Sequence, residues 1–435
     1  MLEVISNAEK WKETFEESSP KKQFEIIQET LQQELSGSFI EQTGLSTYIL
    51  EVRDYLFANN LFKDIFSLIL LLKEKHQKIF DEIFMYFENI AIQYYLFNDE
   101  IENVASSLKS FTISPEKSID EILIIINDLV LNGFDDLAIG LINSTFDKIK
   151  NSQEKIGSAE YEFGNIIFNK IINNHYKKLK EGQDSNLKDF IPEFNKIGFE
   201  GGEFMVNEIN SCLKDENILP DLLEKEFKHD RETQLRKLSW QFFKYMFDNK
   251  NVNFSCSHLI WYGFLKFLSD FKKKPNPPEK FFKFKLERLD SFIAELLGGF
   301  FSLQQNIGLA ILWGIPYIYD FLYLNKIISK ELYNRIQANV SLLKEDVINA
   351  MIDDLWVYEF VHRWEKPDCI SAEEFKDECE EFISSFIEKP LSDEIEKDNI
   401  MELFDEEPHE NCGAKLFLDA GLNDLENTKV DKEES

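Results

Sequence analysis

Apolar residues recur at three- and four-residue intervals along most of this chain, and few residues interrupt them: 17 Gly and 11 Pro in 435 positions. Many short strands would need more turn residues than that, whereas helices need fewer breaks. Gln23 to Leu35 shows the pattern, with Phe24, Ile27, Leu31 and Leu35 on one helical face before Ser36-Gly37-Ser38 ends it. The expected fold class is therefore all-α. With 43% hydrophobic residues and 40 Phe, the bulk of the chain is too apolar to stay disordered.

A second regularity suggests how the helices are ordered. Asn59-Asn-Leu-Phe-Lys-Asp-Ile, Tyr95-Leu-Phe-Asn-Asp-Glu-Ile and Leu131-Asn-Gly-Phe-Asp-Asp-Leu start 36 residues apart, so that Ile65, Ile101 and Leu137 coincide. Each segment follows another apolar helix, read over Tyr48–Phe57, Ile79–Leu96 and Ile119–Val130. One helical hairpin per period of about 20–50 residues is the signature of an α-solenoid, in which a hairpin buries its face against its neighbours. Tyr48 to Lys150 thus resembles a degenerate helical-hairpin repeat of the tetratricopeptide or HEAT kind. The Trp, Gly-Tyr and Ala-Pro positions of the tetratricopeptide consensus are missing. The expectation is an α-solenoid of such repeats, or a large multi-helix array.

Beyond the repeat, the glycines from Gly157 to Gly202 suggest a boundary near residue 150, and Lys272-Lys-Lys-Pro-Asn-Pro-Pro-Glu-Lys reads as a loop because its prolines forbid a continuing helix. Ser371 and Glu374 form a capping box for a last helix. After Phe386 acidic residues dominate. Four segments follow: a repeat region over 1–150, a middle helical region over 151–271, a C-terminal helical region over 272–386 and an acidic, flexible tail over 387–435.

The uncharged stretch from Leu296 to Tyr319 is long enough to suggest a membrane span. Its central Ser302, Gln304, Gln305 and Asn306 would lack water at a bilayer centre, so it is read as a bend between two short buried helices and no membrane insertion is expected. The scattered cysteines Cys212, Cys256, Cys369, Cys379 and Cys412, and a first segment without a basic-then-apolar start, point to the reducing cytoplasm.

Catalytic motifs are sparse. Glu226-Phe-Lys-His229 and Glu359-Phe-Val-His362 are Glu-x-x-His pairs of the type that two helices of a di-iron bundle contribute, so Glu226, His229, Glu359 and His362 are the candidate metal ligands. Cys369, Cys379, His409 and Cys412 offer a weaker zinc set with one compact pair, His409 and Cys412. Cys256 beside His258 is read as a structural thiol at a buried helix start. Gly201-Gly-Glu-Phe204 resembles four residues of the diguanylate cyclase signature without its second acidic ligand, and goes no further. The aromatic run from Trp240 to Phe247 and the set Phe281, Phe282 and Phe284 read as core, and the Lys-flanked latter group as a partner-facing edge in the alternative.

A net charge of −32 argues against nucleic acid or anionic lipid as a partner and favours a basic protein. The functional expectation is a non-catalytic protein-interaction scaffold that needs no cofactor. Alternatives are an acidic inhibitor or immunity-type protein that neutralises a basic nuclease or toxin, and a metal-dependent helical enzyme.

Overall fold

The computed structural model describes residues 7–151, 157–199, 202–214, 220–269, 272, 276–298 and 304–386. Among these residues all regular secondary structure is helical. The acidic tail, with His409 and Cys412, lies outside them, as do Gly201 and Ser302. Two compact units form, one from described residues 7–113 with 384–386 and one from 114–383.

The first unit holds α1 (Ala8–Glu16), α2 (Pro20–Leu31), α3 (Gly37–Thr43), α4 (Leu45–Ala58), α5 (Phe62–Lys75), α6 (Gln77–Phe97) and α7 (Ile101–Ser107). Packing runs from neighbour to neighbour: α2 against α4 and α5, α4 against α5 and α6, α5 against α6, and α6 against α7. Its first layer closes around Trp11, whose indole N–H donates to Thr30 Oγ1 at 2.9 Å and whose ring stacks on Phe15. Glu88 is buried, yet it accepts from Lys73 Nζ at 2.7 Å and Ser110 Oγ at 3.3 Å. Phe386 lies among the rings of Phe62, Tyr94 and Phe97.

Helical hairpins do occur at the three expected places, but not in the expected register. The third consists of α8 (Ile119–Leu131) and α9 (Asp135–Lys150) and belongs to the second unit. Every hairpin turns through one left-handed residue, namely Asn60 (φ 54°), Asp99 (φ 56°) and Gly133 (φ 85°). Around each the same two bonds close the preceding helix. Asn60 N–H donates to Phe57 O and Leu61 N–H to Leu56 O; Asp99 and Glu100 donate to Leu96 O and Tyr95 O; Gly133 and Phe134 donate to Val130 O and Leu129 O. This is the Schellman arrangement, which satisfies carbonyls that a helix end leaves open. Ile65, Ile101 and Leu137 are consequently not equivalent: Ile101 opens its helix, whereas Ile65 and Leu137 lie inside theirs. The turn residue sets the boundary, and α6, at 21 residues, is longer than its counterparts α4 and α8 at 14 and 13.

The second unit is arranged around one helix. In chain order it holds α8, α9, α10 (Gly157–Lys180), α11 (Ile191–Lys196), α12 (Gly202–Lys214), α13 (Pro220–Phe227), α14 (Arg231–Lys250), α15 (Phe254–Ser269), α16 (Pro278–Phe281), α17 (Leu286–Leu297), α18 (Gln305–Leu324), α19 (Lys330–Ala350), a 3-10 segment Leu355–His362 and α20 (Ala372–Ser384). Helices α8, α14, α15, α17 and α19 and the 3-10 segment all pack on α18. The uncharged stretch does break between α17 and α18, but α18 runs 20 residues and is not short. It is long and apolar enough to cross a membrane, yet 83% of its most apolar window is buried inside the protein. Its closest neighbour is α15: a Cβ on Gly314 would overlap Ile260 Cγ2, and one on Gly263 would overlap Ile311 Cδ1. Reciprocal glycines let these backbones approach closely: a methyl group on Gly314 would meet the branch of Ile260 and force a shift, whereas one on Gly263 would meet the end of the Ile311 side chain.

Ser371 and Glu374 bond reciprocally at the start of α20, as the capping box predicts. Trp240, Phe242, Phe243, Tyr245 and Met246 are core residues, and so are Phe281, Phe282 and Phe284. The phenyl rings of that last group therefore offer no partner-facing edge.

Candidate functional site

Helix α10 carries Asn165, Asn169 and Asn173 at four-residue intervals, a polar stripe on a helix that buries Phe163, Ile166, Phe168 and Ile172 around it. A stripe this deeply buried needs partners. Asn173 has one, since its Oδ1 accepts the backbone N–H of Phe254 at the start of α15 at 3.2 Å. Asn169 donates from Nδ2 to Asn165 O at 2.8 Å, but its Oδ1 has no partner among the described residues although the residue is only 1% exposed.

Asn165 and Asn169 of that stripe line a cleft of about 400 Å³ between α8, α10, α15, α17 and α18. Leu123, Ile124, Leu259, Leu296, Ile307 and Ile311 give it aliphatic walls. Exposed Tyr161, Tyr262 and Lys266 stand at its rim with half-buried Glu162. Its inner side carries Asn165, Asn169, Ser255 and His258. The His258 ring lies on Tyr262, centroids 4.4 Å apart, and desolvation pushes its pKa down to about 4, so the ring is neutral at physiological pH. Burial raises the Glu162 carboxyl, an effect that Lys266 partly offsets.

Two buried carboxyls stand on the neighbouring helices α8 and α9, of which only α8 lines the cleft. Burial raises Asp128 to about 7; Asn306 Nδ2 donates to its Oδ1 at 2.8 Å, and its Oδ2 has no partner among the described residues. Burial likewise raises Asp135 to about 6, against the pull of Lys170; Asn253 Nδ2 donates to it at 2.9 Å.

A separate polar cluster fixes α20. Glu378 Oε1 accepts from Trp313 Nε1 at 2.7 Å and pairs with His362 Nε2 at 2.9 Å, with Lys344 Nζ at 3.6 Å. Burial alone would raise this carboxyl, but the His362 hydrogen bond and the Lys344 charge outweigh it and bring it down to about 2. Burial in turn lowers the Lys344 ammonium.

The four residues singled out as metal ligands have other surroundings. α13 ends at Phe227, so Glu226 is in its last turn and exposed His229 lies beyond it; Glu226 accepts from Gln234 Nε2 at 2.9 Å. Glu359 and His362 lie on a 3-10 segment interrupted at Tyr358, not on an α-helix. There Glu359 pairs with Arg363 at 3.0 Å while His362 pairs with Glu378. Among the described residues no group of three or more His, Cys, Asp or Glu side chains is placed to hold a metal ion. Cys369 and Cys379 have thiols raised by burial, Cys369 to about 12. Cys256, also raised by burial, is buried in the first turn of α15, where Asn253 Oδ1 caps its backbone N–H at 2.7 Å.

Sequence reasoning passed over the cleft, although one signal for it was present: the i, i+4, i+8 asparagines of α10. No family model matches the chain, and neither a curated protein nor a solved structure shows significant similarity to it.

Proposed function

We propose that the protein is a non-catalytic interaction scaffold, an α-solenoid-like stack of helical hairpins that binds a basic protein in the cytoplasm. The observation that carries this reading is the succession of three helical hairpins, α4–α5, α6–α7 and α8–α9, each turning through a left-handed residue in a cap that also closes helices at Gly182, Gly198 and Lys326. Neighbour-to-neighbour packing of α2 through α7 supports it, because stacked hairpins present an extended surface rather than a single cavity. The net charge of −32 selects for positively charged partners and makes their association salt-dependent. Four described cysteines without disulfides agree with a reducing compartment.

The test is affinity capture of the full chain from its native host at low and moderate salt, followed by cross-linking mass spectrometry. The reading expects a stoichiometric basic protein, lost as salt rises, with cross-links to lysines of α2–α7. Absence of any stoichiometric partner, or cross-links that avoid these helices, would overturn it.

A further inference from the structure

At the end of α10, Gly182 takes the left-handed conformation (φ 69°) and the chain reverses: Gly182 N–H donates to Leu179 O and Gln183 N–H to Lys178 O. The reversal returns Ser185 to His175, ten residues earlier on α10, and the buried Leu187 anchors the link that follows. Ser185 Oγ and His175 Nδ1 lie 2.8 Å apart, and the other ring nitrogen, Nε2, is 3.0 Å from Asn210 Oδ1 on α12. An amide oxygen only accepts, so Nε2 carries the ring proton and Nδ1 accepts from the Ser185 hydroxyl. A nucleophile, a base and a group that orients the base thus meet on one imidazole, the arrangement that activates serine and cysteine on unrelated folds. Ser185 and His175 line a pocket of about 470 Å³ together with Ile171, Phe190, Lys177 and Lys178. Ser185 is half-buried there, and its main-chain N–H has no acceptor among the described residues, which leaves a donor beside the hydroxyl for a developing oxyanion.

We propose that this pocket hydrolyses small carboxylic esters, with Ser185 as nucleophile, His175 as general base and then general acid, and Asn210 as a positioning residue. Ser185 Oγ bonds to the ester carbonyl carbon while its proton passes to His175 Nδ1, and the Ser185 main-chain N–H is a donor to the oxyanion. Collapse breaks the ester C–O bond, and Nδ1 returns the proton to the leaving alkoxide. Water then adds to the acyl carbon and gives a proton to Nδ1; the bond to Oγ breaks, Nδ1 reprotonates Oγ, and a carboxylic acid leaves. One ester and one water are consumed, and one acid and one alcohol are formed. Ile171 and Phe190 offer apolar contact for a short acyl group. This activity goes beyond the scaffold reading: that reading rests on the hairpins, and its non-catalytic character is theirs, whereas this chemistry belongs to the end of α10 in the second unit.

Two measurements on the full chain test it. Hydrolysis of 4-nitrophenyl acetate at about pH 8, where an imidazole is neutral, reads turnover, and reaction with diisopropyl fluorophosphate followed by peptide mass spectrometry reads which residue is the nucleophile. The unaltered protein is expected to release 4-nitrophenolate with saturation and to take up one diisopropylphosphoryl group, on Ser185, with loss of turnover. Ser185→Ala should lower turnover by about a hundredfold or more, and Asn210→Ala by about tenfold or more. Asn210→Asp keeps an acceptor for the Nε2 proton and should restore most of what Asn210→Ala loses, a rescue that a residue merely holding α12 in place would not show. Circular dichroism and thermal unfolding show whether each variant is folded. Should a variant fail to fold, labelling of the unaltered protein still decides. Turnover undiminished in folded Ser185→Ala protein, or absence of the adduct on Ser185 of the unaltered chain, would overturn the proposal.

Discussion

The two units contrast most in what they bury. In the first, the buried polar side chains among the described residues are Thr30, Thr43, Asn60, Glu88 and Ser107, four of them neutral, and Glu88 is matched by Lys73. In the second, Asp128, Asp135, Asp320, Lys250, Lys344 and His362 are buried with a series of asparagines and serines. Packing from neighbour to neighbour leaves each helix of the first unit a side on which polar groups reach water. A unit arranged around a single helix has no such outlet for groups that face its centre, so each must be paired or neutralised. The stability of the first unit should therefore be spread over many contacts, and that of the second concentrated in a few polar ones.

Replacing Glu378 tests the concentrated side and should have the largest effect. Glu378→Ala leaves Lys344 and His362 buried without their carboxylate, at a cost of about 3–5 kcal/mol. Five of the six tryptophans (Trp240, Trp261, Trp313, Trp356 and Trp364) belong to the second unit and only Trp11 to the first. Denaturant unfolding followed by tryptophan fluorescence should thus show the loss. Hydrogen exchange should at the same time show unchanged protection of α4–α6; equal loss there would dissolve the contrast. Because the folded Glu378 pKa is depressed, its contribution is present above the ordinary carboxylate value near 4.5 and is lost as pH falls from there toward about 2.

Asp128 carries the opposite sign. Its folded pKa is raised from 3.8 to about 7, so its burial costs nothing below pH 4, becomes increasingly unfavourable between pH 4 and 7, and levels off above that. Asp128→Asn keeps an acceptor for Asn306 and removes the charge. It should stabilise the second unit by on the order of 2–4 kcal/mol at pH 8 and by almost nothing at pH 4. Thermal unfolding across that range would measure it, and a pH-independent difference would mean that Asp128 is not titrating in its buried site.

The smallest effect concerns what the units share. If the hairpin turn is the same device in both, relieving the left-handed strain at Asp99 with Gly should stabilise the first unit by about 0.5–1 kcal/mol. Introducing that strain with Gly133→Ala should destabilise the second by about 1 kcal/mol. Exchange rates in α6 and α8 should move in opposite directions; if both slow or both quicken, the turns are not equivalent.

How much of this was legible varies by region. The helices of the first unit were, since Phe24, Ile27 and Leu31 mark a buried face by spacing alone, and Ser371 with Glu374 announced a helix start because a capping box is a local device. Hairpin register was not legible: equal spacing of Ile65, Ile101 and Leu137 suggested equivalence, but the left-handed turn residues lie 39 and then 34 positions apart. The Glu-x-x-His pairs failed for a related reason. Their spacing is informative only on an α-helix, and one histidine lies past a helix end while the other is on a 3-10 segment.

The sequence by itself determined that the chain is helical and strongly acidic, because periodicity, turn-residue content and charge are sums over local composition. Only tertiary structure decided that Leu296–Tyr319 contributes to a core helix with a close glycine crossing to α15, that His362 meets Glu378 across 16 residues, and that Asn165 and Asn169 of α10 line a cleft. Those outcomes depend on which helix faces meet. Residues distant in sequence select that meeting together, through shape and through the need to pair every polar group they bury.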